Sequence, residues 1–226
     1  MKIILFLLFI ILYTFNAKSF PIPKDGKASF DIIRKNKIIG NVTSTFTKDD
    51  EILKIHTIVD IQVKVLFIPA YKFFQETTEI WKDKELIEII GFTDFEDERE
   101  YHINGKDIDN QFIANGMDGE LSLEQSILSL NYWNKDILKQ KKIFDTQKGI
   151  VREISSKKLD NEIIEINGEK LDTEKYTLNA SKNPKDLGPF PEYTIWYYNN
   201  ELIQFKFTNW KDKKEVTTVR NDWKNN

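Results

Sequence analysis

The sequence predicts a mostly β protein: one long, strongly curled antiparallel sheet, a half-barrel or β-roll, with a short helical insertion. Three observations predict it. Apolar and polar residues alternate with period 2 through most of the chain, as in strands with one buried face. Turn signals such as Asn167-Gly168 and Asn199-Asn200 punctuate the alternation. A single stretch, Leu123–Gln140, departs from alternation toward helical spacing. These signals add up to roughly ten to thirteen strands, and a sheet that long must curl to bury one face.

The first element is not part of the sheet. Lys2 precedes an almost unbroken apolar run from Ile3 to Tyr13, and Ala17-Lys18-Ser19 offers small residues before a cut at Phe20. This is the build of a secretory signal peptide. The run is short of the ~20 residues that span a bilayer. Met1–Ser19 is therefore expected to be removed, leaving Phe20–Asn226 as a single β-rich domain with no transmembrane span. The expected location is the periplasm of a Gram-negative bacterium.

With no Cys, the chain can carry neither a disulfide nor a lipid on cysteine, so its stability must come from apolar burial. Sixteen Phe, eight Tyr and five Trp supply large buried areas. Removing Lys2 and Lys18 leaves 31 basic against 36 acidic residues, a formal charge of −5. An acidic chain with interspersed signs lacks the electrostatic footprint of a nucleic-acid binder.

The strands follow in order. Ile38, Gly40, Val42, Ser44 and Phe46 alternate against Lys37, Asn41, Thr43, Thr45 and Thr47. After the polar turn Lys48–Glu51, Leu53 to Val65 repeats the pattern on a longer strand. Pro69 interrupts, and a strand runs from about Tyr71 to Trp81. Lys82-Asp83-Lys84 turns into Leu86–Phe95. Asn104-Gly105, after Tyr101-His102-Ile103, and Asn167-Gly168, after Ile163–Ile166, both predict tight type I′ turns. Over Leu123–Gln140, Ile127, Leu128, Leu130, Ile137 and Leu138 suit one or two short helices, with Asn134 as a cap for Lys135–Gln140. This insertion is expected to pack in or across the concave side. Ser181–Pro191, with three prolines and Gly188, reads as a surface loop. Tyr193–Tyr198, Leu202–Trp210 and Glu215–Arg220 complete the sheet.

Two motifs recur. Ile103-Asn104-Gly105 matches Ile166-Asn167-Gly168, and Ile80-Trp81 before a turn and Leu86 echoes Ile195-Trp196 before a turn and Leu202, with one extra residue in the second copy. Their order is inverted along the chain, which excludes a solenoid.

Chemistry-bearing motifs are sparse. His56 and His102 are the only histidines, both on expected strands, and no G-x-S-x-G elbow occurs. The acidic run Asp94–Glu100 lacks the ligand order of a calcium loop and reads as a solvated strand end. No catalytic residue, metal site or cofactor is assigned. Adjacent aromatics such as Phe73-Phe74 and Trp196-Tyr197-Tyr198 must point to opposite faces of a strand. One set fills a core, and the other covers an element or lines a concavity.

Several segments together carry a family resemblance. They are Ile68-Pro69-Ala70-Tyr71 leading to Glu79-Ile80-Trp81, then Tyr132-Trp133-Asn134-Lys135-Asp136-Ile137-Leu138 with Phe144-Asp145-Thr146-Gln147 and Gly149 after it, then Tyr176-Thr177-Leu178 and Ile195-Trp196-Tyr197-Tyr198. In this order the chain resembles an exported bacterial domain-of-unknown-function family, the one numbered six-one-three-four, over roughly Ser29–Val219. The resemblance implies a β-rich periplasmic domain, distantly similar to other curled-sheet families, some of them like lipoprotein carriers that hold acyl chains. It brings no catalytic residues. One departure is Asp83-Lys84 where the family suggests Asp-Gly, which implies a looser turn.

The expected function is a non-enzymatic envelope protein that binds a lipid or other hydrophobic or amphiphilic ligand in the concave face. Phe67, Tyr71, Phe73, Trp81, Trp133, Trp196 and Tyr198 are the candidate lining residues. The alternatives are a module that docks an envelope protein partner without a small ligand, and a hydrolase of envelope polymers.

Overall fold

A computed structural model describes residues 20–65, 68–96 and 99–224. The expected leader Met1–Ser19 and the candidate lining residue Phe67 lie outside them. The strands are β1 (Lys27–Arg34), β2 (Lys37–Asp49), β3 (Ile52–Val65), β4 (Ile68–Lys82), β5 (Glu85–Phe95), β6 (Glu100–Ile108), β7 (Gln111–Gly116) and β8 (Gly119–Glu124). After them come β9 (Leu128–Ser129), a 3-10 helix (Lys135–Lys139), β10 (Lys142–Asp145), β11 (Ile150–Lys158), β12 (Glu162–Ile166) and β13 (Glu169–Ala180). The last three are β14 (Tyr193–Tyr198), β15 (Glu201–Thr208) and β16 (Glu215–Arg220).

All sixteen belong to one curled sheet in the order β8-β7-β6-β5-β4-β3-β2-β1-β16-β15-β14-β13-β11-β10-β9, with β12 paired to β13 off this path. The fold class is the expected one: mostly β, in a single long antiparallel sheet. Among the described residues only the short β9–β10 pair is parallel. The sheet is not closed into a full barrel, yet its two flanks meet. Met117 N donates to the Lys148 carbonyl at 2.7 Å. There a Cβ added to Gly116 would sit 2.3 Å from the Gly149 carbonyl oxygen.

Two-residue turns drive the curl. Lys35-Asn36, Asp83-Lys84, Asp109-Asn110, Asn167-Gly168 and Asn199-Asn200 each hold two consecutive residues at positive φ. This is the type I′ geometry, whose twist matches the strands it joins. The Asp83-Lys84 turn keeps that shape with Lys84 at φ 70.

Asn104-Gly105 is not a turn. It lies inside the continuous strand β6, and the reversal comes at Asp109-Asn110. The reason Gly stands at 105 is packing: a Cβ there would be 2.6 Å from the Phe112 ring. The two Ile-Asn-Gly segments are therefore not equivalent hairpins.

The Leu123–Gln140 stretch is also less helical than its spacing suggests. Its first part extends β8, and the only helical turn is the 3-10 segment Lys135–Lys139. Asn134 caps it as expected, its Oδ1 accepting from Asp136 N at 3.0 Å. The apolar residues match helical spacing because the segment crosses the concave side and drops Leu128, Trp133, Ile137 and Leu138 into the main core.

That core fills one end of the roll. Phe20, Trp81, Trp133 and Phe46 interlock edge to face, with Phe20–Trp81 centroids 5.4 Å apart and Trp81–Trp133 5.6 Å. Such pairs each add about 0.5–1.5 kcal/mol beyond area burial. A second, smaller core lies on the outer face, where the β12–β13 hairpin and Trp223 cover Ile203, Tyr198 and Val219.

Candidate functional site

The concave side is not filled throughout. Beside the aromatic core lies a cavity of about 380 Å³ walled by β1–β4, β15, β16, the crossing segment 130–133 and the loop 186–191. The inward side chains of β4 set its character. Alternation turns Tyr71, Phe73, Gln75, Thr77 and Glu79 to the cavity, so one wall passes from aromatic to polar. Phe73 pairs in register with Ile61 and Phe95, and Glu79 with Ile55 and Ile89. Six residues of strand separate the two rows, roughly 20 Å.

At the Glu79 end the polar groups are ordered by hydrogen bonds. Glu79 Oε2 accepts from Trp81 Nε1 at 2.9 Å, and Asn131 Nδ2 reaches both carboxylate oxygens at 3.2 and 3.1 Å. Burial raises the Glu79 pKa above its ordinary value, against the opposing pull of Trp81, Asn131, Ser129 and Trp133. Gln75 Nε2 donates to the Thr146 carbonyl and hydroxyl, and Ser44 bonds Thr57 across the β2–β3 pair at 2.9 Å.

Another part of the wall is aromatic and fastened by ions. Tyr132 stacks on Phe205 with centroids 4.5 Å apart and on Tyr193 at 5.0 Å. Burial pushes the Tyr193 hydroxyl up to about 12 and raises those of Tyr132 and Tyr197, so all three stay neutral at physiological pH.

Arg152 is 3% exposed and donates through Nε to Asp145 Oδ2 at 2.6 Å and through Nη1 to Asp186 Oδ2 at 2.8 Å. Nη1 also reaches the Ser181 carbonyl, and Lys148 Nζ meets Asp186 at 3.2 Å. Burial alone would raise the Asp186 pKa, but Arg152, the Asn183 amide and Lys148 outweigh it and hold it below its ordinary value. This network ties the loop after β13 across the cavity wall.

Of the candidate lining residues, Tyr71, Phe73 and Trp133 wall the cavity. Trp81 does not: it is fully buried in the aromatic core, where its indole holds Glu79. Trp196 and Tyr198 do not either. Trp196 faces outward, donating to Glu162 Oε2 at 3.0 Å with Lys175 and Lys206 over its ring. Tyr198 packs on Trp223 in the outer core.

The recurring Ile-Trp motif explains the exchange. Trp81 pairs with Leu86 and Tyr197 with Leu202, each beside a register shift, so the inward equivalent of Trp81 is Tyr197. The extra residue in the second copy turns Trp196 to the other face. Tyr193, Phe205 and Phe207 line the cavity instead.

Gln75, Thr77 and Glu79 are the residues that sequence reasoning passed over. The signal was present as polar residues at the inward positions of an aromatic-rich strand.

The histidines lie elsewhere. His56 Nε2 sits 2.8 Å from Glu76 Oε1 on the outer face of β3 and β4, and His102 lies outward beside Phe92. Among the described residues no group of three or more His, Cys, Asp or Glu is placed to hold a metal ion. No described helix is long and apolar enough to cross a membrane.

The profile of the domain of unknown function DUF6134 matches residues 30–219. The chain belongs to the DUF6134 family. A crystal structure described as a beta-barrel-like protein of domain of unknown function DUF1849, from Brucella abortus, is similar to this DUF6134 chain at a TM-score of 0.58 and 13% identity. The match covers 87% of this chain and 98% of that one. At that identity the likeness shows a shared fold alone. None of the curated proteins matches this chain.

Proposed function

We propose that this DUF6134 chain is an exported, periplasmic envelope protein that acts without catalysis, holding a hydrophobic or amphiphilic ligand in its concave cavity. The observation that carries the reading is the interior itself. A sheet this long could bury its inner face entirely against the crossing segment, and here it leaves about 380 Å³ beside that segment. Sites for small molecules run from ~300 to 1,000 Å³ and combine apolar walls with a few placed polar groups. Phe30, Phe73, Tyr193, Phe205 and Phe207 supply the walls, and Gln75, Thr77 and Glu79 supply the polar groups. The leader-like Met1–Ser19 supports export.

Native mass spectrometry of the protein purified from its own host, without delipidation, tests the reading. The expected result is a species heavier than the polypeptide by one ligand, which collisional activation releases. A bare polypeptide mass, together with no uptake of an apolar fluorescent dye by the purified protein, would overturn it.

A further inference from the structure

The polar end of the cavity discriminates between head groups. Glu79 is 4% exposed and lines this end together with Asn131 and Trp133. Its Oε1 accepts from Asn131 at 3.2 Å, the Ser129 and Trp133 side chains also favour the charged carboxylate, and a carboxylate oxygen can accept a further donor. The other charged side chains on the wall are Lys148, Arg152 and Asp186, and they are engaged with one another at the loop end. Glu79 therefore meets any occupant of the polar end without a cation beside it. Trp133, which is 8% exposed, adds a second observation. Its indole Nε1 is buried and, although it acts on the Glu79 carboxylate, completes no close hydrogen bond among the described residues. A buried donor left unmade costs about 1–3 kcal/mol, which an incoming oxygen recovers.

We infer that the ligand is an amphiphile with an uncharged hydroxyl head, of the long-chain alcohol or monoacylglycerol class, seated with that head against Glu79 and Trp133 and its chain running toward Phe73. The inference rests on the cavity being the binding site, as proposed above. A hydroxyl both donates, to Glu79 Oε1, and accepts, from the Trp133 N–H after a small rotation of the indole. A carboxylate or phosphate head sets a second acidic group beside Glu79 in a water-poor setting, where each strongly disfavours the ionisation of the other. An ammonium head pairs with Glu79 but offers Trp133 no acceptor. The β4 wall accommodates the chain, since Phe73, paired with Phe95 and Ile61, continues the apolar surface away from the head.

The test displaces a bound apolar dye, N-phenyl-1-naphthylamine, from the purified protein with three amphiphiles of equal chain length: monolauroylglycerol, dodecylamine and laurate. Monolauroylglycerol is expected to displace the dye at a concentration at least about tenfold below laurate, equivalent to ~1.4 kcal/mol. In Glu79→Gln the ratio should shrink to about threefold or less, chiefly because laurate improves. Asn131→Asp, which adds a second carboxylate at the same end, should widen it and serves if the first variant does not fold. Equal displacement by laurate and monolauroylglycerol, an advantage for dodecylamine over both, or a ratio indifferent to both substitutions overturns the head-group assignment and leaves the cavity reading standing. Failure of the dye to bind at all overturns the cavity reading itself.

Discussion

Replacing Arg152 with Met measures how firmly the loop after β13 is fastened over the cavity. Arg152, Asp145 and Asp186 have side chains 4%, 2% and 7% exposed, so the substitution leaves two carboxylates without their shared cation in a setting that water barely reaches. Removing one partner of a buried pair costs about 3–5 kcal/mol. The two aspartates differ in how they respond. Asp145 is held in β10 and, among the described residues, keeps the Gln147 amide at 2.8 Å on Oδ1. Asp186 keeps Lys148 and the Asn183 amide and sits on a loop that can turn toward solvent.

The lower half of the range, ~3–4 kcal/mol, is therefore expected. At roughly 2–4 °C per kcal/mol for a domain of this size, Tm falls by about 6–16 °C. Chemical denaturation with an unchanged m-value gives the first number and calorimetry the second. Limited trypsin digestion at Lys182 and Lys185 reports the loop separately and should accelerate. A loss under about 1 kcal/mol with the loop still protected would refute the claim that this network holds the wall together.

Because burial raises the Glu79 pKa, the stability linked to its proton is fully present below the unfolded value of 4.5 and is lost as pH rises through the higher folded value. Glu79→Gln should thus gain on the wild type as pH rises from about 4 to 8 in parallel denaturation series, and a pH-independent gap would contradict the burial-raised pKa of Glu79. Gly116→Ala, whose Cβ would lie 2.3 Å from a backbone oxygen of Gly149, should cost about 1–3 kcal/mol by forcing the two flanks apart, whereas Gly168→Ala meets no atom within 4 Å and should cost about 1 kcal/mol, from its φ of +81 alone. Phe205→Ala should weaken dye uptake severalfold while Trp196→Phe leaves it unchanged, because only the first side chain walls the cavity; equal effects in titrations would remove the assignment of inner and outer faces.

Strand type and the existence of one long sheet are written in local pattern, because a half-buried strand needs period 2 and a two-residue reversal needs residues that tolerate positive φ. Asn167-Gly168 and Asn199-Asn200 show this directly. Asn104-Gly105 shows the limit, since the same dipeptide that makes a turn also makes room for a ring, and the position of Phe112 decided which. The family, too, was legible, through segments such as Tyr132–Leu138 and Ile195–Tyr198.

Alternation along a strand states that two faces exist without saying which one looks inward. That choice fell to register shifts such as the one beside Tyr197, which sent Trp196 and Tyr198 outward under the β12–β13 hairpin. The cavity, and the meeting of Glu79 with Asn131 and Trp133, depend on contacts more than fifty residues apart in sequence. No local pattern encodes such distances; they arise when the sheet curls and the crossing segment comes to rest inside it.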